Sequence, residues 1–344
     1  MRNFSLEAYF NSKAARHTPR YRFGSSSHNW REWRPALLSA VKSSLGRLPS
    51  KVPLNPQIEL EWTEDGLIKQ RIVLDVEDEM SLHAYVFRPK QLAIPGPAIL
   101  ACHGHGPYGK DAVIGNRGNR DRRTNVDDHN YDYGLQMAKA GFVTMAIDSR
   151  GFGECDDRRK PFFHNTIHER DACNVHFLRA SVLGMALLGL NLHDAMCAID
   201  YLSSLAFVDV KRLGVMGLSF GGTMTTWLAA CDERIRAADI ICYSDRFADF
   251  GIRDGNFCGS QMTPGLFELC DVPDLQGLIA PRPLLVEIGI YDDCFLVDSA
   301  MSCFGEVEKI YAAANAADKL HLDLFEGGHR WGGNKSIDFF RKNL

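Results

Sequence analysis

The sequence predicts an α/β fold: a mixed, mostly parallel sheet with helices on both faces. Two observations carry this. Six mostly apolar runs recur along the chain, at Ala98–Cys102, Phe142–Ile147, Arg212–Met216, Ala237–Tyr243, Pro283–Ile288 and Leu320–Phe325. Segments with helical spacing separate them, and such alternation builds parallel sheets with right-handed crossovers. Ahead of these runs, Gln57–Trp62, Leu67–Asp75 and Ser81–Arg88 also read as strands. In the third, Leu82, Ala84 and Val86 alternate with His83, Tyr85 and Phe87, the pattern of an antiparallel strand. The sheet is therefore expected to be mixed.

The elements follow in order. Residues 1–27 are polar, basic and without period, which predicts a loosely packed arm. Trp30, Trp33, Leu37, Leu38, Val41 and Leu45 share one helical face, and Gly46 is a stop signal. Packing on the main body is the expected use of that face, and a homo-oligomer contact is the alternative. Leu192, Ala195, Met196, Ile199 and Leu202 mark a helix before the third apolar run; Gly222–Cys231 follows that run and Ala300–Ala314 precedes the last. These spans divide the chain into an N-terminal arm and helix, 1–55, and a main domain, 56–344. Three insertions interrupt the main domain at about 103–132, 155–180 and 246–278. The first two read as long polar loops, which in compact domains are usually functional lids or disordered.

The chain has 344 residues, with 39 Lys plus Arg against 43 Asp plus Glu, a net charge of −4. That balance gives no electrostatic reason to bind nucleic acid or an anionic membrane. No run of about 18 apolar residues exists, and the start lacks the apolar core of a secretory signal. Ten Cys occur, none in a C-x-x-C pair. Several sit in apolar patterns, which predicts reduced, buried thiols and a cytoplasmic location. Cys102 and Cys294 stand out because they flank the segments that carry the chemistry below.

The sharpest local signal is Gly217-Leu218-Ser219-Phe220-Gly221-Gly222. It closes a strand and opens a helix, the context in which G-x-S-x-G marks a nucleophile elbow. A serine needs a base, and His329 in Gly327-Gly328-His329, just past the last strand, is the candidate. The imidazole needs an acid to set its tautomer. Asp292 follows the strand Pro283–Ile288, with Asp293 as the alternative acid and Asp245 a third choice. An oxyanion needs two donors. The N–H of Phe220 is one, and the N–H of His105, in His103-Gly104-His105-Gly106, is the second candidate. His103 is expected to hold that loop. In Asp148–Glu154, Arg150 is expected to pair a carboxylate in a structural turn. His164 and His168, four apart and near Cys173 and His176, raise zinc as an alternative, but no ligand spacing completes a site. Arg117, Arg120, Arg122 and Arg123 read as a solvated face, with recognition of an acidic substrate group as the alternative.

Taken in chain order, these motifs resemble the α/β-hydrolase superfamily. More narrowly, Asp209–Gly222 and Leu278–Leu285 are similar to the acetyl xylan esterase-like and dienelactone hydrolase-like branch. The resemblance spans about residues 60–344. It implies a serine carboxylic-ester hydrolase acting on small acyl, acetyl-type esters, with no metal and no organic cofactor. Dienelactone hydrolases use a Cys nucleophile where this chain has Ser219. The related deacetylases carry an aromatic residue where it has His105, and Pro soon after the acid where it has Asp293-Cys294-Phe295. A peptidase of the prolyl oligopeptidase type and a carbon–carbon bond hydrolase share the same order of residues. A gating propeller is not expected, since one blade alone takes about 40–45 residues.

Overall fold

The computed structural model describes residues 2–25, 27–157 and 171–344. Among the described residues nine strands form one sheet: β1 (Gln57–Glu64), β2 (Leu67–Glu77), β3 (Met80–Pro89), β4 (Gly96–Cys102), β5 (Val143–Ile147), β6 (Val208–Leu218), β7 (Ile235–Ile241), β8 (Leu284–Gly289) and β9 (Leu320–Phe325). Their order is β1-β2-β3-β5-β4-β6-β7-β8-β9. β1, β2 and β3 pair antiparallel, and β3 pairs antiparallel with β5. From β5 onward every pairing is parallel. All nine strands correspond to the nine expected from sequence.

Register aligns the ends of the parallel strands. Cys102 of β4 pairs with Gly217 of β6, Leu218 with Ile241 of β7, Ile241 with Glu287 of β8, and Gly289 with Phe325 of β9. Chain leaving β4, β6, β7, β8 and β9 therefore emerges along one edge, where ligands of open α/β sheets are bound.

Helices cover the sheet. The helix Phe220–Cys231 is buried along its whole length, which explains why its sequence is apolar or small all round. The helix Leu187–Ser204 buries most of its residues in the same core. The helix Trp30–Ser44 adds Trp33, Leu37 and Val41 to that core, as its stripe predicted.

Two polar segments carry structure that their sequence did not announce. The first is the N-terminal arm. Leu6–Ala14 is a helix, and Ser5 Oγ accepts from Ala8 N–H at its start. Arg20 N–H and Tyr21 N–H donate to the carbonyls of Glu268 and Leu269, and Phe23 N–H donates to Asp274 Oδ1. The helix buries only Ala14, so no apolar stripe announced it. The segment 103–132 is not one loop either: Lys110–Val113 and Arg120–His129 are helical. Asn119 Oδ1 caps the second at Arg122 N–H, while Arg117–Asp127 and Arg122–Asp111 ion pairs replace apolar contacts. Only Val126 of that helix is buried, too little for a hydrophobic period to show. In the second insertion Ala172–Val182 is helical, and residues 158–170 lie outside the described residues.

Under the sheet, β7, β8 and β9 carry buried carboxyls at Asp239, Glu287 and Asp323. Neither carboxyl oxygen of Asp239 has a hydrogen-bond partner. Burial pushes Asp239 well above the ordinary carboxylate value, and the neighbouring Glu287 adds to it. Burial pushes Glu287 up as well. A carboxyl raised in the folded state stabilises the fold while protonated. That contribution is whole below the unfolded value, about 4 for a carboxylate, and is lost as pH rises through the folded value. Asp239→Asn is therefore expected to raise Tm relative to the parent at pH 8, with the gap shrinking towards pH 5. Thermal melts across that range check it.

Candidate active site

Ser219 sits between β6 and the helix Phe220–Cys231 with φ 61° and ψ −117°. An L-residue is strained in that region. The turn is tight: a Cβ on Gly217 would lie 2.5 Å from Gly221 O, and one on Gly221 only 2.2 Å from Cys102 O. That crowding is why the residues two before and two after the serine are glycine. Ser219 N–H donates to Ile241 O at 2.9 Å, and Ser219 O accepts from Thr223 N–H at 3.1 Å. Both bonds hold the elbow at the β6–β7 edge.

His329 follows β9. Its Nδ1 lies 2.9 Å from Asp292 Oδ2 and 3.2 Å from Oδ1. Asp292 is buried beyond β8, and its Oδ1 also accepts from Cys294 N–H at 2.8 Å and Phe295 N–H at 3.0 Å. Burial pushes this carboxyl up, but His329 and the two amides outweigh it and hold the group below its ordinary value. An ionised carboxylate can only accept, so Nδ1 carries the proton and Nε2 is left as the basic nitrogen. Phe295 stacks on the His329 ring at 5.8 Å and 22°. Of the other acids weighed, Asp293 is exposed. Asp245 is pushed up to about 6 by burial and accepts from Ser299 Oγ.

The loop after β4 runs beside the serine. A Cβ on Gly104 would lie 3.4 Å from Ser219 Cβ. His103 anchors this loop, as expected: its Nδ1 donates to Gly104 O at 2.8 Å, and its Nε2 accepts from Ser149 N–H at 2.9 Å. Burial lowers the His103 pKa, in keeping with a neutral ring. His105 is exposed and packs edge-on against Phe152 at 5.1 Å; Phe152 in turn stacks on Phe220 at 5.0 Å. Phe220 opens its helix, so its N–H belongs to the first turn, which has no intrahelical acceptors.

The turn Asp148–Glu154 is held by charge. Arg150 grips Asp194 with two bonds of 2.8 and 2.7 Å and pairs with Glu77 at 2.5 Å. Buried Lys110 bridges Asp148, at 2.7 Å, and Glu154. Arg117 and Arg122 are taken up by Asp127, Asp132 and Asp111, which favours the structural reading of the arginine run. Burial pushes the thiols of Cys102 and Cys294 up, to about 12 and about 11, so neither is a thiolate near neutrality. None of the ten cysteines is in a disulfide. His164 and His168 lie outside the described residues.

Sequence reasoning missed two residues here. Cys242, just past β7 with φ 46°, lies within 4.8 Å of both the Asp292 carboxylate and the His329 ring nitrogen. Its Sγ donates to Arg330 O at 3.4 Å. Tyr131 Oη accepts from Gly104 N–H at 2.7 Å. No local pattern marks either, since both act across long sequence separations. Removing the Tyr131 hydroxyl would strand a buried amide. Tyr131→Phe is expected to destabilise the fold by about 1–3 kcal/mol, read from urea unfolding.

The strand order, the elbow at the end of β6 and the paired histidine past β9 define the α/β-hydrolase fold. The family model that matches, described as Abhydrolase family, covers residues 26–320, and the chain belongs to this family. A protein classed as a hydrolase, YtaP of Bacillus subtilis (strain 168), is 27% identical over 292 residues, 83% of this chain and 90% of that one. Among solved structures, a protein classed as an acetyl xylan esterase from Bacteroides fragilis NCTC 9343 superposes with a TM-score of 0.76 at 19% identity, covering 94% of this chain and 83% of that one. A glucuronoyl esterase from Solibacter usitatus gives a TM-score of 0.67 at 15% identity, over 95% and 98% of the two chains. Among the described residues no helix is long and apolar enough to cross a membrane.

Proposed function

We propose that the protein is a serine carboxylic-ester hydrolase acting on small acyl esters of the acetyl type. One observation carries the reading: the Asp292–His329 pair and the strained Ser219 stand on the same strand-end edge. In this reading Ser219 Oγ attacks the ester carbonyl and His329 Nε2 accepts its proton. His329 then returns the proton to the leaving alcohol. Water, deprotonated by His329, releases the acid from the acyl-serine, and Asp292 stabilises the imidazolium at both stages.

Phe220 N–H and His105 N–H are proposed to hold the oxyanion. Gly104 N–H is already donated to Tyr131 Oη, so His105 offers the next amide along the loop. The acetyl preference is supported by the branch that the motifs resemble and by the protein classed as an acetyl xylan esterase that shares the fold.

A fluorophosphonate probe tests the class. One equivalent of adduct on Ser219, with turnover of p-nitrophenyl acetate faster than of longer acyl esters, is expected. Absence of an adduct would point instead to a non-catalytic binding protein of the same fold.

A further inference from the structure

Three metal-capable clusters occur among the described residues. Two of them, Cys242–Asp292–His329 and Asp292–Asp293–Cys294, share the acid of the proposed triad. The third, His105–Cys173–Cys258, does not. Its ligand atoms all lie within 4.8 Å of one another, with His105 Nε2 at 3.4 Å from Cys173 Sγ. Zinc–sulfur bonds of about 2.3 Å and zinc–nitrogen bonds of about 2.0–2.1 Å give tetrahedral edges of roughly 3.5–3.8 Å. The cluster therefore needs to contract by about 1 Å at most to close on such an ion.

Three distant segments supply the ligands. His105 stands in the loop after β4, Cys173 in the first turn of the helix Ala172–Val182, and Cys258 beyond the π-helix Phe247–Arg253. Their meeting does not depend on an ion. Gly259 N–H donates to Asn174 Oδ1 at 2.8 Å, and a Cβ on Gly259 would fall 2.2 Å from Phe177 Cβ, so the two cysteine segments are already packed together. Both thiols are buried, while His105 is exposed and lines a cavity of about 270 Å³ with Phe152, Asp156, Asp171 and Cys173.

We propose that His105 Nε2 and the thiolates of Cys173 and Cys258 form a site for a thiophilic divalent cation of the zinc class, tied to the loop after β4 that runs beside Ser219. Two thiolates balance the charge of the ion, and binding releases two thiol protons to solvent. Three protein ligands leave the fourth position for water or a small anion from the adjoining cavity. The ion would clamp the loop after β4 to the two segments that carry the cysteines. The effect of that clamp on hydrolysis rests on the oxyanion role given to the His105 N–H; the site itself does not.

Cobalt(II) is the probe, added to the full chain after reduction and removal of the reductant. One equivalent is expected to produce the near-ultraviolet thiolate-to-cobalt charge-transfer band and to raise Tm. Excess zinc should abolish the band. Cys258→Ser should lose both signals, while Cys242→Ser should keep them. No band in the parent, or a band retained in both Cys258→Ser and Cys173→Ser, would overturn the proposal. A mass two daltons below that of the reduced chain before treatment, with no cobalt band after it, would also overturn it and identify a disulfide instead. Fluorophosphonate labelling of Ser219 is expected to be unchanged in Cys258→Ser, so this proposal and the esterase reading fail separately.

Discussion

Ser219→Ala is expected to lower kcat on p-nitrophenyl acetate by about 10⁶-fold while leaving the fold intact. Loss of the nucleophile removes the acyl-enzyme route, and the base and acid cannot act without it. Residual rate should persist at about 10³–10⁴ over water, from oxyanion donors and binding alone. Only Oγ is lost, so the helix Phe220–Cys231 and its packing should survive. Circular dichroism and a normal melt confirm that. A kcat within tenfold of the parent would remove Ser219 from the chemistry.

The same position predicts an opposite effect on stability. At φ 61° and ψ −117°, Ser219 occupies backbone space that favours glycine. Strain of this kind is worth about 1–3 kcal/mol, partly offset by the extra chain entropy of an unfolded glycine. Ser219→Gly is therefore expected to melt higher than Ser219→Ala, although both are expected to lose the same hydroxyl-dependent rate. A site selected for stability alone would not place serine there.

Much of this geometry was legible in the sequence, for identifiable reasons. The apolar runs from Ala98 to Ile288 are mostly buried strands, and buried parallel strands announce themselves by composition, whereas the last run, Leu320–Phe325, is an edge strand that buries only Asp323 and Phe325. The elbow was legible because its tight turn restricts residue type at Gly217 and Gly221. Asp292 and Asp293 were adjacent rivals, and one loop residue decides which faces the imidazole. The fold separates them: the amides of Cys294 and Phe295 fix Oδ1 of Asp292, and Oδ2 meets His329 Nδ1. The helices Leu6–Ala14 and Arg120–His129 stayed hidden because caps and ion pairs, not an apolar stripe, hold them. Tyr131, Cys242 and the meeting of His105, Cys173 and Cys258 join segments far apart in the chain. Such contacts leave no periodic trace.

Asp292→Asn is the second large effect, expected at about 10⁴-fold in kcat near neutral pH. The direction follows from hydrogen-bond valence. Cys294 N–H and Phe295 N–H both donate to Oδ1, so an asparagine must put its only oxygen there. Its NH₂ then takes the place of Oδ2, 2.9 Å from His329 Nδ1. Two donors cannot share that contact, so Nδ1 must become the acceptor and the proton moves to Nε2. The imidazole is left in the wrong tautomer to take the proton of Ser219. Asp293→Asn removes an exposed carboxylate that does not bond His329, and should change kcat less than twofold. Equal losses in the two variants, or a loss confined to Asp293→Asn, would displace Asp292 from the triad. Stability adds an independent reading. The folded Asp292 is held below the ordinary carboxylate value of 3.8, so its contribution is present above that value and lost as pH falls through the folded one. The parent should therefore lead Asp292→Asn in Tm at pH 6 and lose that lead in acid, whatever happens to catalysis.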